Sequence, residues 1–414
     1  MMGLLGFMGL PVLPIKPIKI TPINNLTPMT HSTSPRIDVA DVLRGFAVMG
    51  IILLHSIEHF NFYSFPDTSQ QSAWLNFTDR AIWDGLFFMF GGKGYAIFSI
   101  LFGFSFFIMD SRQQEKGKDF RLRFCWRLLL LFLIGNINAI FFTGEVLVLY
   151  SIVGFVLPLV CRLSDKALLI LASILLLQPL ALTCVAGALI DPAFEFPAIS
   201  SGHLWMKAGQ VQGGGTFWET LKVNLWEGQL ASLAWAWEHG RVFQTAALFI
   251  LGMLIGRRGL YKEENHAVWG KVLAGALIAF FPLYGLDDML PRFIDNRAIL
   301  TPLSLIVSSL HKFAFMLVLM SGLIFAYYKT GMRHRLMVLA PYGRMSLTNY
   351  ITQSIIGSML FYHWGFGLYQ YLGITASFLV GIAIFILQLT FCHWWMKSHR
   401  HGPLEALWRK GTWI

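Results

Sequence analysis

Long apolar runs recur along this chain, separated by short charged segments. A helix needs about 20 mostly apolar residues to cross the ~30 Å hydrocarbon core of a bilayer. Runs near that length fall at 39–57, 81–109, 124–141, 145–161, 167–190, 241–256, 267–284, 300–328, 337–361 and 372–396. The pattern predicts an all-α, polytopic membrane protein with about ten transmembrane helices. The organisation expected is one transmembrane helical domain over 36–414. Within it, 36–190 holds the N-terminal helices, 191–240 an extracytoplasmic Trp-rich loop and 241–414 a C-terminal region. Residues 1–35 are Pro- and Thr-rich, and Pro11, Pro14 and Pro17 interrupt their short apolar run, so a disordered leader is expected there rather than a signal peptide.

Composition agrees. The chain is 56% hydrophobic and 13% charged, with mean hydropathy +0.59, against about 25% charged in average soluble proteins. A net charge of +10 would suggest nucleic acid in a soluble protein. In a membrane protein it marks cytoplasmic loops. Three-quarters of the 32 Lys and Arg residues fall in segments that alternate to one side. This places both termini in the cytoplasm and argues against a nucleic-acid partner. Cys125, Cys161, Cys184 and Cys392 sit in or beside apolar runs without a CxxC pair and read as packing residues.

Two segments break the simple pattern. The 81–109 run contains Gly91-Gly92-Lys93-Gly94. Glycines with a lysine at membrane depth suggest a broken helix or re-entrant turn lining a cavity; the alternative is a long tilted helix with a glycine packing notch. The loop 191–240 carries Trp205, Trp218, Trp226, Trp235 and Trp237. It reads as interfacial helices, with a substrate-covering role as the alternative.

Polar residues inside the spans are the candidates for chemistry, because ionisable groups there are costly and usually functional. At ~100° per residue, Asp41, Arg44, His55 and, if the helix continues, His59 share one stripe of the first helix. Asp41 and Arg44 can pair as i, i+3 neighbours. His55 or His59 could serve as a general base, or simply hydrogen-bond between helices. Glu145, at an outer hairpin, could orient a histidine or cap a helix start, and Asn138 could stabilise an oxyanion. Arg121, Arg123, Arg127 and Arg344 form a candidate cytoplasmic phosphate site; positive-inside topology and lipid contact account for them equally well. Ser304, Ser308 and His311 share a face of one span, and Ser346, Asn349 and Gln353 a face of another. Such faces also serve as interhelical glue. No zinc motif, P-loop or dinucleotide fingerprint is read, so no metal is expected.

Several segments together resemble a known family. Arg36-Ile37, Asp41, Leu43-Arg44-Gly45-Phe46-Ala47 and Gly50-Ile51 are similar to the opening signature of the YeiB-like bacterial membrane proteins (domain of unknown function 418). Phe98-Ser99-Ile100-Leu101-Phe102-Gly103 resembles their second block, and Arg123, Arg127, Gly135, Gly144-Glu145 and Tyr150 the third. Gly343-Arg344-Met345-Ser346-Leu347-Thr348-Asn349-Tyr350, with Gln353-Ser354, and Gly402-Pro403-Leu404-Glu405, with Leu407-Trp408-Arg409, resemble the C-terminal domain. The resemblance implies a helical membrane core in the bacterial cytoplasmic membrane. It further implies grouping with transmembrane acyltransferases, which pass an acyl group from cytoplasmic acyl-CoA to an acceptor on the far side. The chain departs from the pattern at three positions: relatives mostly carry Asn at the place of His55, His at that of Asn138 and Asp at that of Glu145.

The expected function is therefore a transmembrane acyltransferase. Acyl-CoA, most simply acetyl-CoA, would be the donor, and a glycan, lipid or small molecule the acceptor. The expected catalytic residues are His55, His59, Glu145 and Asn138. The donor would be held by Asp41, Arg44, Lys93, Arg121, Arg123, Arg127, Arg344, Asn349 and Gln353. Membrane lipids are the other expected partners, with a homodimer left open. A transporter or flippase of an amphipathic solute, favoured by the Gly-broken span, and a non-catalytic scaffold are the alternatives.

Overall fold

Helix α1 (Asp38–Ile57) runs through the middle of the protein, with 67% of its apolar window buried, against 17% for Glu263–Phe293 and 22% for Ile374–Trp395. The computed structural model describes residues 37–67, 69, 71–191, 193–195 and 201–414; the expected leader, 1–35, lies outside the described residues. Among them every regular element is helical.

After α1 the chain makes a turn over 58–63, with Phe62 and Tyr63 in the left-handed region at φ 55° and 56°. It enters α2 (Ala73–Phe90), capped by the Ser72 side chain on the Leu75 amide. The helix is interrupted at Gly91–Lys93, where Gly92 takes φ +74°, a value that glycine reaches without strain, and it resumes at Gly94 so that Ala73–Gln114 still forms one 42-residue apolar span. Then come α3 (Gly94–Gln114), α4 (Arg121–Ala139), the short α5 (Leu147–Val153) and α6 (Val156–Val160), α7 (Asp165–Leu176) and α8 (Pro179–Ile190). The Trp-rich segment is helical, as its aromatic pattern predicts, in α9 (Ser201–Gly214), α10 (Phe217–Val223) and α11 (Gln229–Glu238). The second half holds α12 (Arg241–Arg257), α13 (His266–Phe293), α14 (Arg297–Lys329), α15 (Arg333–Leu336), α16 (Ala340–Arg344), α17 (Ser346–Phe361), α18 (Ile374–Trp395) and α19 (Pro403–Thr412).

Among the described residues six helices are long and apolar enough to cross a membrane, with α2 and α3 counted together as Ala73–Gln114. The number rises to eight if two bent pairs each count as one span: α7 with α8, bent by 53°, and Phe217–Glu238 with α12, bent by 74°. Several apolar runs fold as shorter or kinked pieces, which periodicity alone does not separate from straight spans. Pro179 opens α8 after Gln178 takes a left-handed φ of 56°, so that run turns a corner.

Small residues let these helices touch backbone to backbone. A Cβ on Gly103 of α3 would overlap the carbonyl oxygen of Phe249 in α12, and one on Gly252 of α12 would overlap that of Ile100 in α3. A Cβ on Gly343 of α16 would likewise overlap the carbonyl oxygen of Asp41 in α1. Apolar side chains gain little by leaving lipid for protein, so close backbone approach and the dispersion it allows do much of the helix pairing.

Gly252→Ala separates two effects. Alanine raises helix propensity by about 1 kcal/mol, whereas forcing a methyl into a filled contact costs about 1–3 kcal/mol. Gly252→Ala is expected to lower the thermal midpoint of the detergent-solubilised protein. Gly275→Ala in α13, where nothing lies within 4 Å of the added carbon, is expected to leave it unchanged or raise it.

Candidate functional site

The polar stripe of α1 resolves into two clusters, one at each end. Between Arg44 and His55 lie 11 residue steps, or about 17 Å of helix.

At the N-terminal end Asp41 is buried, 2% exposed. Arg44 Nη1 donates to its Oδ1 at 2.8 Å and Nη2 donates to Ser105 Oγ on α3 at 2.7 Å. Arg344, closing α16, approaches Asp41 Oδ2 and Asp38 Oδ1 at 3.4 Å each. Asp41, Arg44 and Arg344 thus meet, and these charges are satisfied within the protein. Each Arg opposes a carboxylate, which is what partial burial requires.

The other three arginines expected to hold the donor sit elsewhere. Arg121 pairs with exposed Asp119. Arg123 donates to the Thr412 carbonyl at 3.1 Å and Arg127 to Thr412 Oγ1 at 3.0 Å. The Arg127 guanidinium stacks 3.4 Å from the centroid of the Trp408 ring, whose Nε1 donates to the Arg127 carbonyl at 3.1 Å. Both residues therefore fasten α19 to α4. Glu405 fastens α19 to α17: its carboxylate accepts from the Leu347 and Thr348 amides at 2.7 and 3.0 Å and from Thr348 Oγ1 at 2.6 Å. Asn349 holds α16 and α18, donating to the Tyr342 carbonyl at 2.9 Å while its own carbonyl accepts from Gln388. Gln353 is buried with neither amide atom hydrogen-bonded. Lys93 is buried at the α2–α3 break and donates to the Phe87 carbonyl at 3.3 Å.

At the C-terminal end of α1, the helix stops at Ile57 and the turn folds His59 back beside His55, ring centroids 5.0 Å apart. Glu58 joins them. Its Oε1 lies 3.2 Å from His55 Nδ1 and 3.6 Å from His59 Nε2, and Tyr63 Oη donates to Oε2 at 2.9 Å. Phe142 packs on both imidazoles, at 4.9 and 5.5 Å between centroids. Burial disfavours the Glu58 carboxylate, yet the adjacent His59 and His55 outweigh it and hold Glu58 below the usual glutamate range. Burial pushes the His59 imidazolium the other way, to about 4, despite Glu58, so the ring is neutral at pH 7.

Glu58 is the functional residue that the helical stripe misses. It lies three residues after His55 and next to His59, in the spacing His-x-x-Glu-His. That spacing is the signal that would have found it. The three ligand atoms lie within 4.8 Å of one another, so this set could hold a divalent metal of the zinc type, which takes imidazole and carboxylate ligands.

His59 lines a pocket of ≈ 560 Å³, walled by Tyr63, Thr143, Trp205, Gln210, Gln212 and Tyr369 among others. Trp205 of α9 lies over His59, 5.6 Å between ring centroids. The Trp-rich segment therefore contributes a wall to this site. Gly144 borders His59, and a Cβ there would lie 3.4 Å from His59 Cδ2. The next residue, Glu145, is buried, accepting from the Asn138 side chain and the Leu147 amide. Of the four expected catalytic residues, His55 and His59 meet directly, and Asn138 and Glu145 pair with each other.

The class of protein is an all-α membrane protein with several membrane-crossing helices around a buried first helix. It belongs to the YeiB-like DUF418 family. Residues 255–414 match the family model described as protein of unknown function (DUF418). The chain is 30% identical to the uncharacterized protein YxaH of Bacillus subtilis (strain 168), over 92% of this chain and 95% of that one. It is 28% identical to an uncharacterized 39.9 kDa protein of Bacillus acidopullulyticus, over 91% and 94%. To the uncharacterized protein YeiB of Escherichia coli (strain K12) it is 26% identical, over 90% and 95%. No solved structure matches it.

Glu405→Ala removes three hydrogen bonds to the start of α17 at once. Charge-assisted bonds of this kind contribute about 1.5–3 kcal/mol, so the C-terminal helix is expected to loosen from α4 and α17. Limited proteolysis should then cleave near residues 397–403 several-fold faster than in the parent protein.

Proposed function

We propose that this protein is a transmembrane acyltransferase that takes an acyl group from cytoplasmic acyl-CoA and delivers it to an acceptor bound in the pocket beside His59. One observation carries the reading: a half-buried imidazole, 3.6 Å from a buried carboxylate, borders a cavity large enough for a small acceptor. Acyl transfer needs a base that removes the acceptor's proton as the new ester or amide bond forms. His59, on the wall of the pocket, is the residue we assign to that step. Glu58 orients both histidines and offsets the imidazolium charge that develops, and His55 fixes Glu58 from the other side. The acceptor oxygen or nitrogen attacks the thioester carbonyl and its proton passes to His59; the C–S bond then breaks, and His59 returns the proton to the sulfur as coenzyme A leaves.

A topology of ten crossings with both termini in the cytoplasm of a bacterial inner membrane accompanies this reading. It is supported by counting α5 with α6, and α17, beside the long and bent spans, and by the distribution of Lys and Arg. In that orientation the His55–Glu58–His59 cluster faces the outer side. Acceptors presented there, such as glycans or lipids, are the natural class. The interrupted α2–α3 run supports a second reading, transport of an amphipathic solute. Flux into proteoliposomes without any change in covalent structure would select it.

Protein in nanodiscs, supplied with labelled acetyl-CoA and a panel of hydroxyl and amine acceptors, provides the test. His59→Ala is expected to reduce transfer by about 10²–10⁴-fold, the usual worth of a general base. A parent protein that transfers nothing to any acceptor and does not cleave the thioester contradicts the reading. The pH profile adds a sign. A base must be unprotonated, and His59 protonates near 4, so transfer should persist below pH 6 and fall only as pH approaches 4. A histidine at the ordinary value of about 6.5 would lose half its activity near there.

Zinc(II) supplies a further check. A metal held by His55, Glu58 and His59 occupies the lone pair that would accept the proton. Added Zn(II) is therefore expected to inhibit transfer, with chelation restoring it and His55→Ala weakening the inhibition.

A further inference from the structure

Three cations converge at the break between α2 and α3, away from the histidine cluster. The Arg241 guanidinium, on the first residue of α12, lies against Gly92, 2.9 Å from where a Cβ would stand. The next residue, Lys93, is 5% exposed, and its ammonium lies 5.6 Å from the Phe315 ring of α14. Phe315 is one turn beyond Lys312, and Gln244 of α12 donates to the Ser309 carbonyl, one turn before it, at 3.3 Å. Lys93, Arg241 and Lys312 are close enough to repel one another.

None of the three forms an ion pair among the described residues. Lys93 donates to a backbone carbonyl, and Arg241 donates to Gln244 Oε1 at 2.8 Å and stacks on Tyr95 and Trp235. The carboxylate that attracts Lys312 is Asp287, which itself lies 3.1 Å from His311 Nε2. Three positive charges and one shared carboxylate leave the site short of negative charge. Within a membrane protein such an imbalance is costly and marks ligand sites. Two helices also begin here without side-chain caps, α3 at Gly94 and α12 at Arg241. Their first amides lack intrahelical partners, although α2 and α11 end at the same breaks and their dipoles offset those of α3 and α12. The flank of the site is apolar: Phe88 of α2 and Phe281 and Tyr284 of α13 are exposed on the outside of the bundle.

We propose that Lys93, Arg241 and Lys312 form a binding site for the phosphate group of a lipid-tailed ligand, whose tail lies along the exposed aromatic face of α2 and α13. Arg241 can grip two phosphate oxygens at once, and the two lysines neutralise the remaining charge. The site stands independently of the acyl-transfer reading. If that reading holds as well, a lipid phosphate becomes a natural carrier for the acceptor.

The test uses full-length protein in a neutral detergent, with binding read by native mass spectrometry and by the thermal midpoint. The probes are phosphatidic acid, diacylglycerol with the same chains, and inorganic phosphate. Phosphatidic acid is expected to bind and to raise the midpoint, and diacylglycerol to do neither. Lys312→Met and Arg241→Gln should each weaken phosphatidic acid binding by roughly tenfold or more. Lys312→Met should also raise the ligand-free midpoint, because it removes a repelled charge; a purely structural lysine would lower it. Equal effects of phosphatidic acid and diacylglycerol, or unchanged phosphatidic acid binding in Lys312→Met, overturn the proposal. Inorganic phosphate binding as tightly as phosphatidic acid overturns the lipid-tailed ligand in favour of a free phosphate. The assay needs no acyl donor, so its failure is distinct from failure of acyl transfer.

Discussion

Burying α1 with charges at both ends is the constraint from which the rest of the structure follows. A carboxylate such as Asp41 cannot enter a low-dielectric interior alone. It requires Arg44 from its own helix and Arg344 from α16, and Arg44 in turn reaches Ser105 on α3. Two distant stretches of sequence, α3 and α16, are thereby pinned to one helix. At the other end the same requirement gathers His55, His59 and Tyr63 around Glu58. Between the ends α1 is apolar and glycine-notched, with Gly45 against Leu339 and Gly50 against Phe90. Polar partners set its register, and small residues set its packing distance.

This division separates two kinds of polar residue. The N-terminal cluster is closed, with Arg44 and Arg344 set against Asp41 and Asp38, and so is Glu405, whose donors all lie within the chain. Their energy goes into fastening helices. The Glu58 cluster and the Lys93 site are open. One borders a cavity, and the other holds more positive charge than the protein neutralises. Open polar groups in a membrane interior are where a ligand adds most, because it supplies what the fold leaves unsatisfied.

Much of the site was legible from residue type and helical spacing. Asp41 with Arg44 follows from a 100° step along one helix, and the same period points to His55 and His59, although a turn rather than the helix brings those two together. The break at Gly91–Lys93 follows from glycine chemistry and a lysine too deep for a straight span. Glu58 was hidden because it lies off the stripe of an ideal helix. It joins the histidines only because the helix ends at Ile57 and the chain turns. The arginines that look like one cytoplasmic phosphate clamp divide among separate partners, since a charge pattern does not tell which helices are neighbours. The Trp-rich stretch shows helical content and amphipathicity, but not that Trp205 would cover His59.

By itself the sequence determined what depends on composition and local period: an all-helical membrane protein, the polar faces of its helices, the break in α2–α3 and the family to which the chain belongs. Only the tertiary structure decided which polar faces meet. Arg241 and Lys312 join Lys93 from places nearly 150 and more than 200 residues away in sequence. Their convergence depends on how α3, α12 and α14 pack through contacts such as Gly103 with Phe249 and Gln244 with Ser309. Helical period fixes a side chain's direction about its own axis. Only packing of one helix against another fixes what stands opposite.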